Sequence, residues 1–295
     1  MTAVLDDAAR ARLVTRFGAD VADPWCDALP DLVDRLAARW GLEVREARPG
    51  NTGRTLLCTD PDGDLQVLKL TPDSEIARLE AAGLRAWTGC RRAVQLLDTD
   101  LDAGAILLEG LVPGTELRGR DVPWAEIGDL LTQLHSVAPP ADLPSLTDRV
   151  TFMYDITDRT VPGSAAEPHL TRELLARARN RALALAATGG PVAVVHGDLH
   201  PGNVLDAGPD RGVVAIDPRP SVGDPAMDAV DWAFLPMAAG GTIDDGITLL
   251  APHVPHLDAE RVHAWCVALA PLLAHGPLRR GEHTPFTDAL LQMAR

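Results

Sequence analysis

Two stretches decide how this chain is interpreted: VAVVHGDLHPGNVL at residues 192–205 and GVVAIDPRP at residues 212–220. In each, a short apolar run typical of a buried strand leads into a polar segment. The first polar segment carries Asp198 and Asn203, and the second apolar run ends at Asp217. Because loops held by rigid strands are favoured positions for catalytic residues, we expect these three side chains to form one site.

These residue types suit phosphoryl transfer, which needs positioning and charge neutralisation more than covalent help. One Asp can orient an acceptor hydroxyl and take its proton, while an Asn and a second Asp can hold Mg²⁺ against phosphate groups. A plain turn would also be rich in Asp, Pro, Gly and Asn. Such a turn does not explain the ordered H-G-D-x-x-x-x-N string between two apolar runs, followed by I-D.

The pattern resembles the catalytic loop and metal-binding hairpin of the aminoglycoside phosphotransferase family, which is related to the H-R-D…N and D-F-G motifs of protein kinases. Gly197 stands where protein kinases have Arg, and the segment 217–219, DPR, stands in place of D-F-G. Both differences are usual among antibiotic kinases and argue against a protein kinase. The resemblance covers about residues 41–236.

The resemblance implies Asp198 as the catalytic base, Asn203 and Asp217 as metal ligands, and ATP and Mg²⁺ as cofactors. It implies that His196 braces the loop. It also implies an α+β, bilobal protein-kinase-like fold, in which a small N-terminal lobe carries an antiparallel sheet and a larger C-terminal lobe is mainly helical.

Hydrophobic periodicity agrees with two lobes of different secondary structure, with strand patterns mainly in the first lobe and helical patterns in the second. We predict an N-terminal lobe over residues 1–109 that binds the nucleotide, and a C-terminal lobe over residues 110–295 with the catalytic loop, metal site and acceptor site. The first lobe should contain a helical extension over about residues 6–40, five strands, and a helix capped by Ser74. The strands are expected at residues 42–48, 55–59, 65–70, 93–97 and 105–108. Helices of the second lobe are expected at residues 124–137, 170–187, 227–238, 259–275 and 285–293.

A kinase also needs a cation that contacts the phosphates of the nucleotide. Lys69, in the apolar strand pattern QVLKL, is the only lysine of the chain. A lysine in a strand is usually a solvated charge, but a single one at this position favours a phosphate contact. Glu80 shares a helical face with Ile76 and Trp87, so we predict that Glu80, rather than Glu75, is its partner.

Two further segments match the nucleotide site by position. A short glycine turn between the first two strands would cover the phosphates of ATP, although such turns are common. Its residues are Gly50, Asn51, Thr52 and Gly53. The segment that contains Glu109 and Leu111 would be the hinge, whose backbone groups can bind the adenine edge.

Composition narrows the class of protein. A formal net charge of −15 argues against nucleic-acid binding, although it is compatible with a cationic small substrate. The four cysteines are scattered and indicate buried thiols rather than a disulfide framework or a zinc site. The chain shows no signal-peptide pattern and no apolar stretch long enough to span a bilayer, so we expect a cytoplasmic protein.

Carboxylates should line the binding site of a cationic acceptor. Six candidates follow from the sequence: Asp155, Asp158, Asp224, Asp228, Asp231 and Glu260. Asp224 is expected to cap a helix. Asp228 and Asp231 are expected on one helix face, where charges usually contact solvent.

The segments AIDPRP and VGDP, at residues 215–220 and 222–225, look most like the streptomycin 6-phosphotransferase and hydroxyurea phosphotransferase branch of the family. We therefore predict an ATP-dependent kinase that phosphorylates a hydroxyl group of a cationic antibiotic, such as an aminoglycoside, and confers resistance. A kinase of another hydroxylated antibiotic or metabolite, including hydroxyurea or a nucleoside antibiotic, has the same motifs. A non-catalytic nucleotide-binding module is the third hypothesis, which the presence of all the catalytic residue types disfavours.

Overall fold

The computed structural model describes residues 4–48, 50, 52–188 and 190–295. The chain forms two compact units. The first unit contains Met1–Thr115 and Leu205–Ile216, and the second contains Glu116–Val204 and Asp217–Arg295. The first unit is therefore discontinuous in sequence, and the predicted lobe boundary at residues 109 and 110 stays a prediction.

Two helices open the first unit, α1 at Asp7–Phe17 and α2 at Ala19–Trp40. The helical extension expected there is interrupted at Gly18, whose φ of +86° is incompatible with a continuous right-handed helix. On α2, Leu29 and Leu36 are fully buried against the inner face of the sheet that follows. Burial of this apolar stripe attaches the helical extension to the unit.

A five-stranded antiparallel sheet forms the core of the first unit, in the order β1-β2-β3-β5-β4. The strands are β1 Glu43–Arg48, β2 Arg54–Thr59, β3 Leu65–Leu70, β4 Leu96–Asp100 and β5 Ala105–Glu109. Along β2, buried and half-buried residues alternate, because successive side chains point to opposite faces.

One helix of this unit, α3 at Ser74–Ala86, follows β3. The expectation that Ser74 caps it is wrong, because the cap is Asp73, whose carboxylate accepts a hydrogen bond from the Glu75 amide at 3.1 Å. The helix therefore begins where predicted but with the neighbouring polar residue as its cap.

Five short strands follow, namely β6 Thr115–Glu116, β7 Ala193–Val195, β8 Val204–Asp206, β9 Val213–Ala215 and β10 Ser221–Gly223. They form a three-stranded sheet in the order β6-β8-β9 and an antiparallel pair of β7 with β10. The strand expected at residues 93–97 lies instead at residues 96–100. The backbone of Ala93 pairs with Ala215 of β9 in a parallel bridge, so Ala93 is not part of the five-stranded sheet.

The second unit is mainly helical. Its helices are α4 Trp124–His135, α5 Leu146–Thr160, α6 Arg172–Ala187, α7 Val230–Phe234, α8 Ile243–Leu250, α9 Ala259–Arg279 and α10 Pro285–Ala294. The helix expected at residues 227–238 consists of the short α7 with a 3₁₀ turn at each end, Pro225–Ala229 and Leu235–Ala239. Pro236 lacks the amide hydrogen that a continuous α-helix needs.

Hydrophobic periodicity did not identify α5 and α8. Each begins with a capping box, formed by Ser145 with Asp148 and by Thr242 with Asp245. The signature of Ser or Thr followed three residues later by an acidic residue was present in the sequence and could have predicted both helices. No helix within the described residues has the length and apolar character to traverse a membrane.

Candidate active site

The polar loop between β7 and β8 has a backbone that requires glycine at its second position. Gly197 has a φ of +74°, and a Cβ at this position would lie 2.3 Å from the Arg219 carbonyl oxygen. Any other residue would meet both backbone strain and a steric clash. The structure thus gives a physical reason for the Gly that stands before Asp198.

Asp228 holds the start of this loop in place through hydrogen bonds. Its carboxylate accepts hydrogen bonds from the His196 amide at 2.7 Å and the Gly197 amide at 2.9 Å, and lies 2.9 Å from His135 Nε2. The residue is only 3% exposed, so the expectation that it contacts solvent is wrong. Periodicity placed Asp228 on a helix face but could not show which face packs inward.

The charge state of Asp228 follows from these contacts. Burial alone would raise the pKa of its carboxyl group, but the hydrogen bond and the charge of His135, the charge of His196 and the Gly197 amide together lower it. An ionised carboxylate is the form that can accept from two amides and an imidazole at once. Asp228 therefore orients the two peptides on either side of His196, shortly before Asp198.

Asn203 closes the other end of the loop. It lies in the 3₁₀ turn Pro201–Asn203, and its Nδ2 donates to the Asp198 carbonyl oxygen at 2.8 Å and to Asp198 Oδ2 at 3.4 Å. Since the amide nitrogen faces Asp198, the Oδ1 atom faces the opposite direction and can serve as a ligand. The loop thus carries both the Asp198 carboxylate and the Asn203 amide oxygen, and these two groups face different directions.

Asp217 has the left-handed backbone conformation, with a φ of 55°. Residues in this region other than Gly are uncommon, and observed outliers cluster at functional sites. Its carboxylate lies 3.4 Å from the Arg219 guanidinium, and the Arg219 amide donates to the His196 carbonyl at 2.8 Å. This hydrogen bond joins the Asp217 segment to the start of the catalytic loop.

Two of the predicted site residues carry donor atoms that suit magnesium. Mg²⁺ prefers oxygen ligands and usually keeps one or two protein carboxylates or amides together with water and phosphate oxygens. Asn203 Oδ1 and the Asp217 carboxylate are ligands of this kind, and their joint binding of a metal stays a prediction. Nowhere in the described ranges do three or more His, Cys, Asp or Glu residues form a metal-binding group.

Lys69 and Glu80 form an ion pair within the first unit. Lys69 Nζ on β3 contacts the Glu80 carboxylate on α3. The side chains are 19% and 3% exposed, respectively, so this pair is much less screened by solvent than a surface salt bridge. The glutamate orients the ammonium group, which is a compact point charge suited to phosphate.

Only part of the glycine turn between β1 and β2 lies among the residues that the structure describes. Gly50, Thr52 and Gly53 lie among the described residues, whereas the predicted contact Asn51 lies outside them. A Cβ on Gly53 would lie 2.0 Å from the Leu70 carbonyl oxygen. Gly53 is therefore required by the close approach of this turn to the end of β3, whatever else the turn binds.

The predicted hinge begins at the end of β5. The Glu109 carboxylate accepts two hydrogen bonds from Arg211, both at 2.7 Å, and one from the Gln95 amide at 2.7 Å. These contacts give the Glu109 side chain a structural function. Leu111 is buried, and its backbone groups form no hydrogen bond with other described residues. They therefore remain available to form hydrogen bonds with a ligand.

Most candidate acceptor carboxylates have partners within the protein. Asp155 and Asp158 pair with Arg179 at 2.8 and 3.4 Å. Asp224 contacts Arg261 and accepts from the Ala226 amide at 3.0 Å, which confirms its predicted capping role. Glu260 is exposed on the first turn of α9. These residues stabilise the protein or contact solvent.

Comparison with solved structures identifies the fold. The chain is similar to choline kinase LicA from Streptococcus pneumoniae, with a TM-score of 0.66, 14% identity, and 91% of this chain and 97% of that chain covered. It is also similar to macrolide 2'-phosphotransferase MphH from Brachybacterium faecium, with a TM-score of 0.56, 19% identity and coverage of 91% and 98%. The predicted protein-kinase-like fold is confirmed.

The family follows from the sequence comparisons. The model of the aminoglycoside/hydroxyurea antibiotic resistance kinase family matches residues 39–279, and the chain belongs to this family. It is 35% identical to hydroxyurea phosphotransferase of Kitasatospora aureofaciens over 259 residues, covering 85% of this chain and 73% of the relative. It is 35% identical to streptomycin 6-kinase of Streptomyces griseus over 271 residues, with coverage of 88% and 86%. The predicted family and branch are confirmed, and the chain is a nucleotide-dependent antibiotic phosphotransferase.

Proposed function

We propose that this enzyme transfers the γ-phosphoryl group of ATP to a hydroxyl group of streptomycin or a closely similar cationic antibiotic. The observation that carries the proposal is the loop in which Asp198 is fixed by the Asn203 amide on one side and by peptides bound to Asp228 on the other. The streptomycin 6-kinase of Streptomyces griseus, of which 86% is covered, supports the choice of acceptor. Hydroxyurea is the second candidate, because a hydroxyurea phosphotransferase is equally identical.

In this proposal Asp198 binds the acceptor hydroxyl and takes its proton as the oxygen attacks phosphorus. Asn203 donates to the Asp198 carboxylate and restricts its rotation. Asp228 and His135 keep the preceding peptide in place, so the base needs little reorganisation when the acceptor binds. The contribution of a positioned base is about 10²- to 10⁴-fold in rate.

Asn203 and Asp217 would hold Mg²⁺, which when bound neutralises the charge of the transferring phosphoryl group. Lys69, oriented by Glu80, would contact the phosphates that are not transferred. The backbone of Leu111 would bind the adenine edge, while Glu109 supports this segment through Arg211. Gly50, Thr52 and Gly53 would cover the phosphates.

An ADP-release assay with Mg-ATP tests the function directly. We expect turnover with streptomycin and little above background with an uncharged nucleoside antibiotic, because the acidic protein attracts cations. Mass spectrometry of the product should show one added phosphoryl group. Turnover with hydroxyurea alone would contradict streptomycin as the acceptor, and the absence of turnover with every hydroxylated antibiotic would contradict the proposed function.

Replacing Lys69 with methionine should raise the KM for ATP by at least about tenfold, because a charge-assisted contact to phosphate contributes roughly 1.5–3 kcal/mol. The variant should also unfold at lower urea concentration than the wild type, since Glu80 loses the cation that it contacts inside the protein. Steady-state kinetics and urea unfolding measure the two effects.

The double variant Lys69→Met, Glu80→Gln separates these effects. Removing both charges should recover much of the stability, because no buried carboxylate then lacks its cation. The KM for ATP should stay high in the double variant. If the double variant recovered ATP affinity together with stability, the role of Lys69 would be structural.

A further inference from the structure

Arg149, in the first turn of α5, contacts the catalytic loop. Its Nη2 atom donates a hydrogen bond to the Gly197 carbonyl oxygen at 3.2 Å, and this carbonyl belongs to the peptide group that joins Gly197 to Asp198. A Cβ at position 197 would lie 3.8 Å from Arg149 Nε, so the guanidinium group lies against the backbone of the loop. Arg149 is outside both sequence motifs, and its contact depends on how α5 packs.

The start of α5 is joined to the strand that leads into the loop. Ser145, which caps α5, forms a parallel bridge with Val222 of β10. β10 in turn pairs with β7, whose last residue, Val195, comes immediately before the loop. Since Arg149 follows Ser145 by four residues, about one helical turn, this backbone pairing brings its side chain to the loop.

A second contact restricts the orientation of the guanidinium group. The Arg149 Cζ atom lies 5.8 Å from the centroid of the Phe152 ring, and a cation placed over an aromatic ring is attracted to it. Phe152 follows Arg149 by three residues on α5, so the two side chains are neighbours on one face of the helix. Arg149 therefore loses less rotamer freedom when it binds the loop.

The peptide groups on both sides of the Asp198 side chain are held by hydrogen bonds. Asp228 accepts from the two amides that precede this point. Arg149 donates to the Gly197 carbonyl, and Asn203 donates to the Asp198 carbonyl at 2.8 Å. Rotation of the peptide between Gly197 and Asp198 would turn the Asp198 side chain, and the bond from Arg149 opposes this rotation.

We propose that Arg149 is a positioning residue for the catalytic base. It holds the peptide between Gly197 and Asp198, so that the Asp198 carboxylate keeps its direction toward the acceptor hydroxyl. The effect on turnover rests on the proposed function, whereas the effect on the loop does not. Arg149 acts through the backbone, and a displacement of about 1 Å at a reacting group can lower a rate by about 10²-fold.

Hydrogen–deuterium exchange of the whole chain without acceptor tests the effect on the loop. In Arg149→Met, the amides of residues 196–203 should exchange at least about threefold faster than in the wild type, because the loop loses a charge-assisted hydrogen bond. Arg149→Lys keeps a donor and a positive charge, so its exchange should lie closer to that of the wild type. The matched control is Arg159→Met, since Arg159 is exposed on the same helix and donates to the Asp155 carbonyl within it. Equal loop exchange in the wild type and Arg149→Met would overturn the proposal.

Steady-state kinetics with Mg-ATP and the acceptor test the effect on the base. In Arg149→Met, kcat should fall by about 10- to 100-fold, while the KM for ATP should stay within about threefold, because the contact is to the loop that carries the base. Arg149→Lys should recover most of kcat, and Arg159→Met should have the kcat of the wild type. An unchanged kcat in Arg149→Met, or an equal loss of ATP affinity, would contradict a positioning role. Failure of the proposed function would differ, because the wild type would then turn over no antibiotic while loop exchange in Arg149→Met still increased.

Discussion

Replacing Asp198 with asparagine is expected to lower kcat by about 10²- to 10⁴-fold, the range for a positioned general base. Asparagine has nearly the same shape and keeps an oxygen that can accept from Asn203, whose amide lies 3.4 Å from Asp198 Oδ2. It cannot take the proton of the acceptor hydroxyl. The affinity for Mg-ATP should change by less than about twofold, because the base acts on the acceptor. Steady-state kinetics and calorimetric ATP titration measure the two quantities.

The control for this variant is Asp210→Asn, since Asp210 is an exposed aspartate outside the catalytic loop. It should have the kcat of the wild type. Full activity of Asp198→Asn would refute Asp198 as the base. Equal losses of kcat and ATP affinity would indicate instead that the variant distorts the loop.

Replacing Asp217 with asparagine is expected to weaken Mg²⁺-dependent ATP binding by roughly 10- to 100-fold, similar to the effects of perturbing metal sites. Asparagine tolerates the left-handed conformation at least as well as aspartate, so the φ of 55° should persist without new strain. The variant therefore removes the charge and changes the backbone little. Titration of the protein with ATP at several Mg²⁺ concentrations measures the effect.

A second variant, Asp217→Gly, distinguishes metal binding from backbone strain. Glycine adopts positive φ without penalty, so this variant should be about as stable as the wild type while it loses the ligand. Both variants should show ATP binding that responds weakly to Mg²⁺. Wild-type Mg²⁺ dependence in either of them would count against Asp217 as a ligand, and normal ATP affinity at zero Mg²⁺ would show that the nucleotide site is intact.

The sequence predicted best those strands and helices whose signals lie within a few neighbouring residues. The strands predicted at residues 55–59 and 65–70 followed from β-forming residues around a strong turn, and they correspond to β2 and β3. The capping boxes of α5 and α8 carried an equally local signal that periodicity alone does not use. The break at Gly18 is harder to predict, because a glycine within a helical pattern is usually tolerated.

Side-chain partners were less predictable, because they depend on which elements pack together. Asp228 and Asp231 are three residues apart on one short helical segment and look equivalent in sequence. In the structure, Asp228 binds the catalytic-loop amides and His135, whereas Asp231 has no such partner among the described residues. This difference arises because the partners of Asp228 lie more than 30 positions away in sequence.

The sequence by itself determined the family, the kinase-like fold, and a loop with one carboxylate and one amide at a spacing suited to phosphoryl transfer. These features depend on residue order and on local backbone preferences, which a single chain displays directly. Only the tertiary structure decided which acidic side chains have partners inside the protein. Hydrogen bonds and desolvation act between segments distant in sequence, so this division arises only when the chain has folded.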